Sequence, residues 1–276
     1  MNMRDYDEWW EKVGQNDPHT VWWVSSFRER ETRIRESFGE TDPPRAVTAF
    51  TWADPRIRVS GGCALTFPPS PESRSYWVTV GEGLTQPARQ VTPNSSASLE
   101  FGFEFAVGAP GRFRWCTDLI WLLMTYVKES GRRVEPGDRV PICFVHEGTE
   151  LAPRIGKVDK LGVVPYGNVR GLIFWPCLIC PRTFETSSGN FGILMATAVT
   201  EDEIAIAKSY SSAHLLLLLC RAGISQVTVP DRPSILENAR WHAEFDGIRE
   251  LSQLEAEQAL EVEFGQRRRE DQRGRG

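Results

Sequence analysis

The chain has 276 residues, 41% hydrophobic and 25% charged, with a formal net charge of −5. A chain of this length buries roughly three quarters of its unfolded surface, so its core needs neither disulfides nor metal. The acidic balance argues against a general nucleic-acid binder, and runs such as "LIWLLM" and "HLLLLLC" are far shorter than the ~20 residues of a membrane span.

The opening "MNMRDYDEWW" lacks the n- and h-regions of a signal peptide. A cytoplasmic protein is expected, with Cys63, Cys116, Cys143, Cys177, Cys180 and Cys220 as free thiols. Arginine outnumbers lysine 27 to 5, a bias of the GC-rich bacterial kind. Two helical pieces open the chain, one around Trp9, Trp10 and Val13 and one from Val21 to Phe38, separated by "NDPHT". Strands are expected in Ala46–Val59 and in "YWVTVGEGL". In "LEFGFEFAV" an apolar set at Leu99, Phe101, Phe103, Phe105 and Val107 alternates with Glu100, Gly102, Glu104 and Ala106, the period of a strand. A helix follows, with Trp115, Leu119, Leu122, Leu123 and Tyr126 forming one stripe and Gly131 as its stop. "RVPICFVHE" reads as a strand, whereas Leu151–Phe184 is too rich in Gly and Pro to parse. Phe191–Val199 reads as a strand buried on both faces. It enters a capping box at Thr200 and Glu203, and a single helix should run through the five leucines to Gly223. "ISQVTVP" is expected to be the last strand. Trp241, Phe245, Ile248, Leu251 and Leu254 mark one amphipathic helix, and "QRRREDQRGRG" a disordered tail.

This order predicts an α+β fold: a mixed, mainly antiparallel sheet with packed helices, carrying helical additions at both ends. The expected boundaries are a helical extension over 1–45, the main domain over 46–236, a C-terminal helix over 237–265 and a basic tail over 266–276.

No catalytic constellation stands out. Glu100 and Glu104 lie about 13 Å apart on an extended strand at ~3.3 Å per residue, too far to flank one glycosidic bond. Cys177-x-x-Cys180 has no second pair to complete a zinc site and sits in an apolar, proline-flanked run, so buried thiols are expected. His19, His146, His214 and His242 are scattered, and HExxH, GxSxG and the P-loop are missing. Ten tryptophans mostly serve a core. Trp9, Trp10, Trp22 and Trp23 are candidates either for docking on their own domain or for anchoring a partner. No cofactor and no metal site is expected.

Three segments, in order, resemble the Suppressor of fused family. "EGLTQP" with "FGFEFAV" matches its Gly-Leu-Ser/Thr turn and Phe-Gly-Phe-Glu strand, with Glu82 where Tyr is usual. "LIWLLMTYVKESGRRVEPGDRV" is similar to its helix ending in Tyr-Val and its Gly-Asp turn, and "FGILMATAVTEDEIAIAKSYSSAHLLLLL" to its Phe-Gly strand and following helix. Ala198 replaces a usual Gly and Tyr210 a usual Trp, and "SQVTVPDRPSI" is similar to the closing strand. The resemblance covers about Ala46–Leu236. It implies a non-catalytic protein-binding module with one domain of the two that form the animal proteins' cleft. It also implies that Tyr126 and Asp138 line a peptide-binding site, with Glu104 as a carboxylate for a structural or binding role. From the residues alone, Tyr126 reads as a helix-edge core residue and Asp138 as turn chemistry. Bacterial members are associated with polymorphic toxins as immunity proteins, so a protein partner is expected, a cognate toxin or a regulatory protein.

Overall fold

The computed structural model describes residues 18–40, 47–51, 61–70, 75–85, 101–147, 150–156, 165–224 and 226–273. Residues 1–17, Leu99 and Glu100, and therefore Trp9, Trp10 and part of the expected strands, lie outside them.

Helix α1 (Pro18–Phe38) leads to strands β1 (Val47–Thr51), β2 (Gly61–Phe67), β3 (Trp77–Glu82) and β4 (Phe103–Ala109). After α2 (Arg114–Ser130) come β5 (Arg139–Glu147), β6 (Glu150–Ile155), β7 (Pro165–Tyr166), β8 (Val169–Pro176), β9 (Phe184–Thr186) and β10 (Gly189–Thr200). The chain then becomes helical: α3 (Glu201–Ser209), α4 (Ser212–Arg221), α5 (Ala239–Ile248) and α6 (Gln253–Arg273). The strands form one sheet in the order β1-β2-β3-β4-β10-β8-β5-β6, with β7 on β5 and β9 on β10. Only β4 and β10 pair in parallel among the described strands. The α+β class and the mainly antiparallel mixed sheet are those expected from the sequence.

Alternation along each strand assigns the two faces. Phe103, Phe105 and Val107 of β4, Ala196 and Ala198 of β10, Leu172 and Phe174 of β8, and Ile142 and Phe144 of β5 pack under α2 through Leu119, Ile120, Leu123 and Val127. The opposite face is covered twice. Phe27, Ile34 and Phe38 of α1 lie with Leu65, Phe67, Val78, Val80, Ala106 and Met195, while Ile173, Trp175 and Val199 lie with α3–α6. β4 is thus buried on both faces along its whole length. Cys177 and Cys180 are buried thiols in the α1-side core.

Three elements depart from the sequence reading. The helix expected from Thr200 to Gly223 breaks after Ser209: Ser211 takes an extended backbone and its side chain accepts from the N–H of His214, starting α4 anew. A serine cluster offers the backbone this local cap, which competes with helix continuation. The C-terminal helix likewise divides, because Ser252 and Glu255 form a capping box of their own, with Ser252 N–H donating to Glu255 at 2.8 Å. Leu254 consequently faces solvent at 62% exposure, and the buried face of α6 is Ala256, Leu260 and Phe264. The backbone of α6 continues to Arg273, through most of the expected tail.

The described residues of "ISQVTVP", all but Ser225, form no strand. Thr228 instead wedges between β4 and β10 where their pairing ends at Val107 and Ala196. Its N–H donates to Gly108 O at 2.7 Å, and its hydroxyl bridges Ala198 N–H and Ala196 O. A Cβ at Gly108 would lie 2.2 Å from Gln226 O, so the wedge requires glycine there.

Candidate protein-binding surface

Strand direction gathers the sequence-predicted residues at one end of the sheet. β4, β5 and β10 begin there, and β3 and β8 end there. Tyr126 lies in the penultimate turn of α2, which runs into the same loop region, and Asp138 directly precedes β5. Among the described residues no hydrogen bond joins Tyr126, Asp138 and Glu104 to one another.

Asp138 closes a tight turn, Glu135-Pro136-Gly137-Asp138. Pro at the second position and Gly137 at φ 90° in the third are the requirements of a type II turn. Asp138 N–H donates to Glu135 O at 3.0 Å, and its carboxylate accepts from Glu135 N–H at 3.0 Å. The turn is pinned to β8 by Gly137 N–H to Phe174 O (2.7 Å) and Phe174 N–H to Asp138 O (3.1 Å), and to α4 by the Ser212 hydroxyl on Gly137 O at 2.6 Å. Asp138 remains half-exposed. One carboxylate oxygen serves the turn and a face of the residue stays open to solvent. Tyr126 is half-buried and packs on the α2-side core.

Glu104 is fully buried. Its Oε1 accepts from the backbone N–H groups of Gly83 (2.9 Å), Leu84 (3.0 Å) and Thr85 (2.8 Å) and from the Thr85 hydroxyl (2.6 Å). Three successive N–H groups converging on one anion form a nest around the carboxylate. Burial raises its affinity for a proton and these hydrogen bonds lower it, with burial the larger effect, so the carboxyl titrates above its ordinary value. Glu104 is withdrawn from solvent, and the geometry gives it the work of holding the "GLT" turn.

Beside it lies a charged pair that sequence reasoning missed. Arg30 of α1 and Glu82 of β3 are both fully buried, with Nε 3.7 Å from Oε1. Arg30 Nη1 donates to the Ser26 hydroxyl at 2.6 Å, and Ser26 is bonded to Ser188. Among the described residues, Arg30 Nε and Nη2 and Glu82 Oε1 have no hydrogen-bond partner. Burial holds Glu82 well above the carboxylate range and lowers the Arg30 value, each opposed by the other's charge. Two signals were readable: Arg30 interrupts the apolar stripe Phe27, Ile34, Phe38, and Glu82 occupies the position where the resembled family has Tyr.

A groove of 490 Å³ opens at this end of the sheet, where β4 and β10 start. Arg133, Glu135 and Pro136 form one wall, Pro176 and Thr183 another, and Asn190 and Gly192 lie on the β10 side. The Asp138 turn therefore forms part of its rim. Arg182, also lining it, is ion-paired with Glu261 of α6. The groove offers cations, a carboxylate, amide and hydroxyl groups, and apolar walls, a mixture suited to a polypeptide segment. Among the described residues that line it there is no His, Cys or Ser. No group of three or more His, Cys, Asp or Glu that could hold a metal occurs among the described residues. No helix among them is long and apolar enough to cross a membrane.

No protein-family model matches the sequence, and no curated protein matches it. Solved structures do. The crystal structure of the Sufu–Fu complex aligns at a TM-score of 0.56 and 12% identity, over 81% of this chain and 96% of that one. Drosophila Suppressor of Fused aligns at 0.57 and 12% identity over 80% of this chain, which spans 54% of that protein's chain. A Suppressor of fused homologue from Neisseria gonorrhoeae aligns at 0.49 and 16% identity, over 76% of this chain and 97% of that one. The alignments to the Sufu–Fu complex and to Drosophila Suppressor of Fused give this chain a Suppressor of fused-like fold.

Proposed function

We propose that the chain is a non-catalytic protein-binding module, and that its partner is a toxin which it neutralises by stoichiometric binding. The observation that carries the reading is the open groove at the sheet end, rimmed by the Asp138 turn. Its lining offers contacts for a polypeptide, and its described lining residues include no His, Cys or Ser. The likeness to a Suppressor of fused structure in a complex supports a binding role for the fold. The toxin as partner rests on the sequence resemblance to bacterial members of that family.

The test is co-expression with the candidate toxin encoded by the neighbouring gene. Rescued growth and a co-purifying 1:1 complex are expected. Asp138→Ala and the groove-filling Thr183→Trp should each weaken that complex, while thermal unfolding shows both variants folded. Absence of rescue and of a complex refutes the toxin reading. Recovery instead of a cellular regulatory protein, with the same sensitivity to both substitutions, keeps the groove and changes the partner.

A further inference from the structure

Outside the groove, the outward ridge of α2 has a pattern that the core does not explain. Leu119, Ile120, Leu123, Met124 and Val127 supply the buried face. At the centre of the opposite face stands Trp121, 43% exposed, beside half-buried Leu122. An exposed Trp in mid-helix adds little to its own core and is the residue type most enriched in binding hot spots.

The rest of the ridge is symmetric about this pair. Counting outward from the midpoint of Trp121 and Leu122, Asp118 and Thr125 are equidistant, and so are Arg114 and Glu129. All six positions lie on one side of a helix of 3.6 residues per turn. Arg114 is 74% exposed and touches Asp118 and Glu150 at 3.9 and 3.0 Å. Glu129 is exposed and has no ion pair among the described residues. A ridge whose ends carry opposite charges at equal distance from a central aromatic is complementary to itself when run antiparallel.

We propose that α2 is the interface of a two-fold symmetric homodimer. The axis passes between Trp121 and Leu122, so Trp121 of each protomer packs on Leu122 of its partner. Arg114 of one protomer meets Glu129 of its partner at both ends, as an isologous contact requires. A single helix pair is at the small end of specific interfaces, so association is weak and concentration-dependent. The surface is separate from the groove, and the inference does not depend on the identity of the groove's partner.

Sedimentation of the full chain over a micromolar concentration series tests this. A monomer–dimer equilibrium is expected. Trp121→Glu should raise its dissociation constant at least ~10-fold, because the substitution removes two symmetry-related hot-spot contacts. Arg114→Glu and Glu129→Arg should each weaken the dimer, and the double variant should restore it, because the swap rebuilds both end contacts. Circular dichroism and thermal melts establish that each variant is folded. A protein monomeric throughout the series, a dimer indifferent to Trp121→Glu, or a double variant no better than the singles overturns the proposal.

Discussion

Glu104 concentrates its hydrogen bonds on one oxygen, and this sets what its substitution costs. Glu104→Ala leaves three backbone N–H groups and the Thr85 hydroxyl buried without an acceptor. Each unsatisfied donor costs ~1–3 kcal/mol, so a loss of at least about 3 kcal/mol is expected in urea unfolding. Glu104→Gln retains an acceptor at the same position and should cost far less. The Arg30–Glu82 pair behaves differently, because its desolvation is incompletely offset. Arg30→Met alone leaves the buried Glu82 carboxyl without its partner and should cost about 1–3 kcal/mol, whereas Arg30→Met with Glu82→Leu should recover most of that loss.

The same pair makes a pH prediction. Glu82 titrates in the fold well above the ordinary glutamate value of 4.5, because burial disfavours its charged form. The folded state therefore holds this proton more tightly than the unfolded chain does. The resulting stabilisation is fully present below pH 4.5 and is lost as pH rises through the folded value. Between about pH 8 and about pH 5, acidification should shift the unfolding free-energy difference between wild type and Glu82→Gln in favour of wild type. A pH-independent difference would show that Glu82 is ionised throughout.

At the scale of elements, local chemistry and long-range contact compete, and the outcome differs from case to case. The capping box at Thr200 and Glu203 forms as the sequence indicates, with Thr200 N–H donating to Glu203 at 2.9 Å. The same Glu203 also receives a bidentate Arg232 and the N–H of Ile235, tying the start of α3 to the segment after the wedge. "ISQVTVP" has strand-like alternation, but Thr228 alone of its described residues bonds to the diverging strand ends, its N–H to β4 and its hydroxyl to β10. Gly108→Ala tests that wedge. Its methyl group meets the Gln226 carbonyl, a backbone atom that cannot swing aside, so a loss of about 3 kcal/mol or failure to fold is expected by denaturant titration. The adjacent Ala109, paired with Trp77 at the strand end, provides a comparison site for Ala109→Gly.

For the molecule as a whole, the terminal helices belong to the core. α6 lays Ala256, Leu260 and Phe264 against the leucine-rich α4. Truncation after Ser252 removes two large buried apolar side chains and should cost about 4 kcal/mol or more, with aggregation through the exposed face of α4. Truncation after Gly265 keeps all three contacts and should stay within ~1 kcal/mol of the full chain in the same melt. α1 covers the other half of the sheet face through Phe27, Ile34 and Phe38, a docking that the sequence leaves open.

Periodicity and caps by themselves determined β3, β4, β5 and the doubly buried β10, α2 with Trp115, Leu119 and Leu123 on its buried face and Gly131 as its stop, and the α+β class. These are properties of side-chain spacing within one segment, which a sequence displays directly. Leu122 of the expected stripe, by contrast, turns outward, and β8 lies in the Gly- and Pro-rich segment that periodicity does not parse. The order of strands, the parallel β4–β10 pair, the Thr228 wedge and the buried Arg30–Glu82 pair were decided only by tertiary structure, because each joins residues far apart in the chain. The candidate site divides in the same way. The "EPGD" turn is written in consecutive residues, and the resemblance singled out Asp138. The groove beside it exists only because strand direction brings β4, β8, β10 and that turn to one end of the sheet. Glu104 shows the limit most clearly: alternation put it on the face opposite the phenylalanines, but only α1 and the "GLT" turn made that face dry.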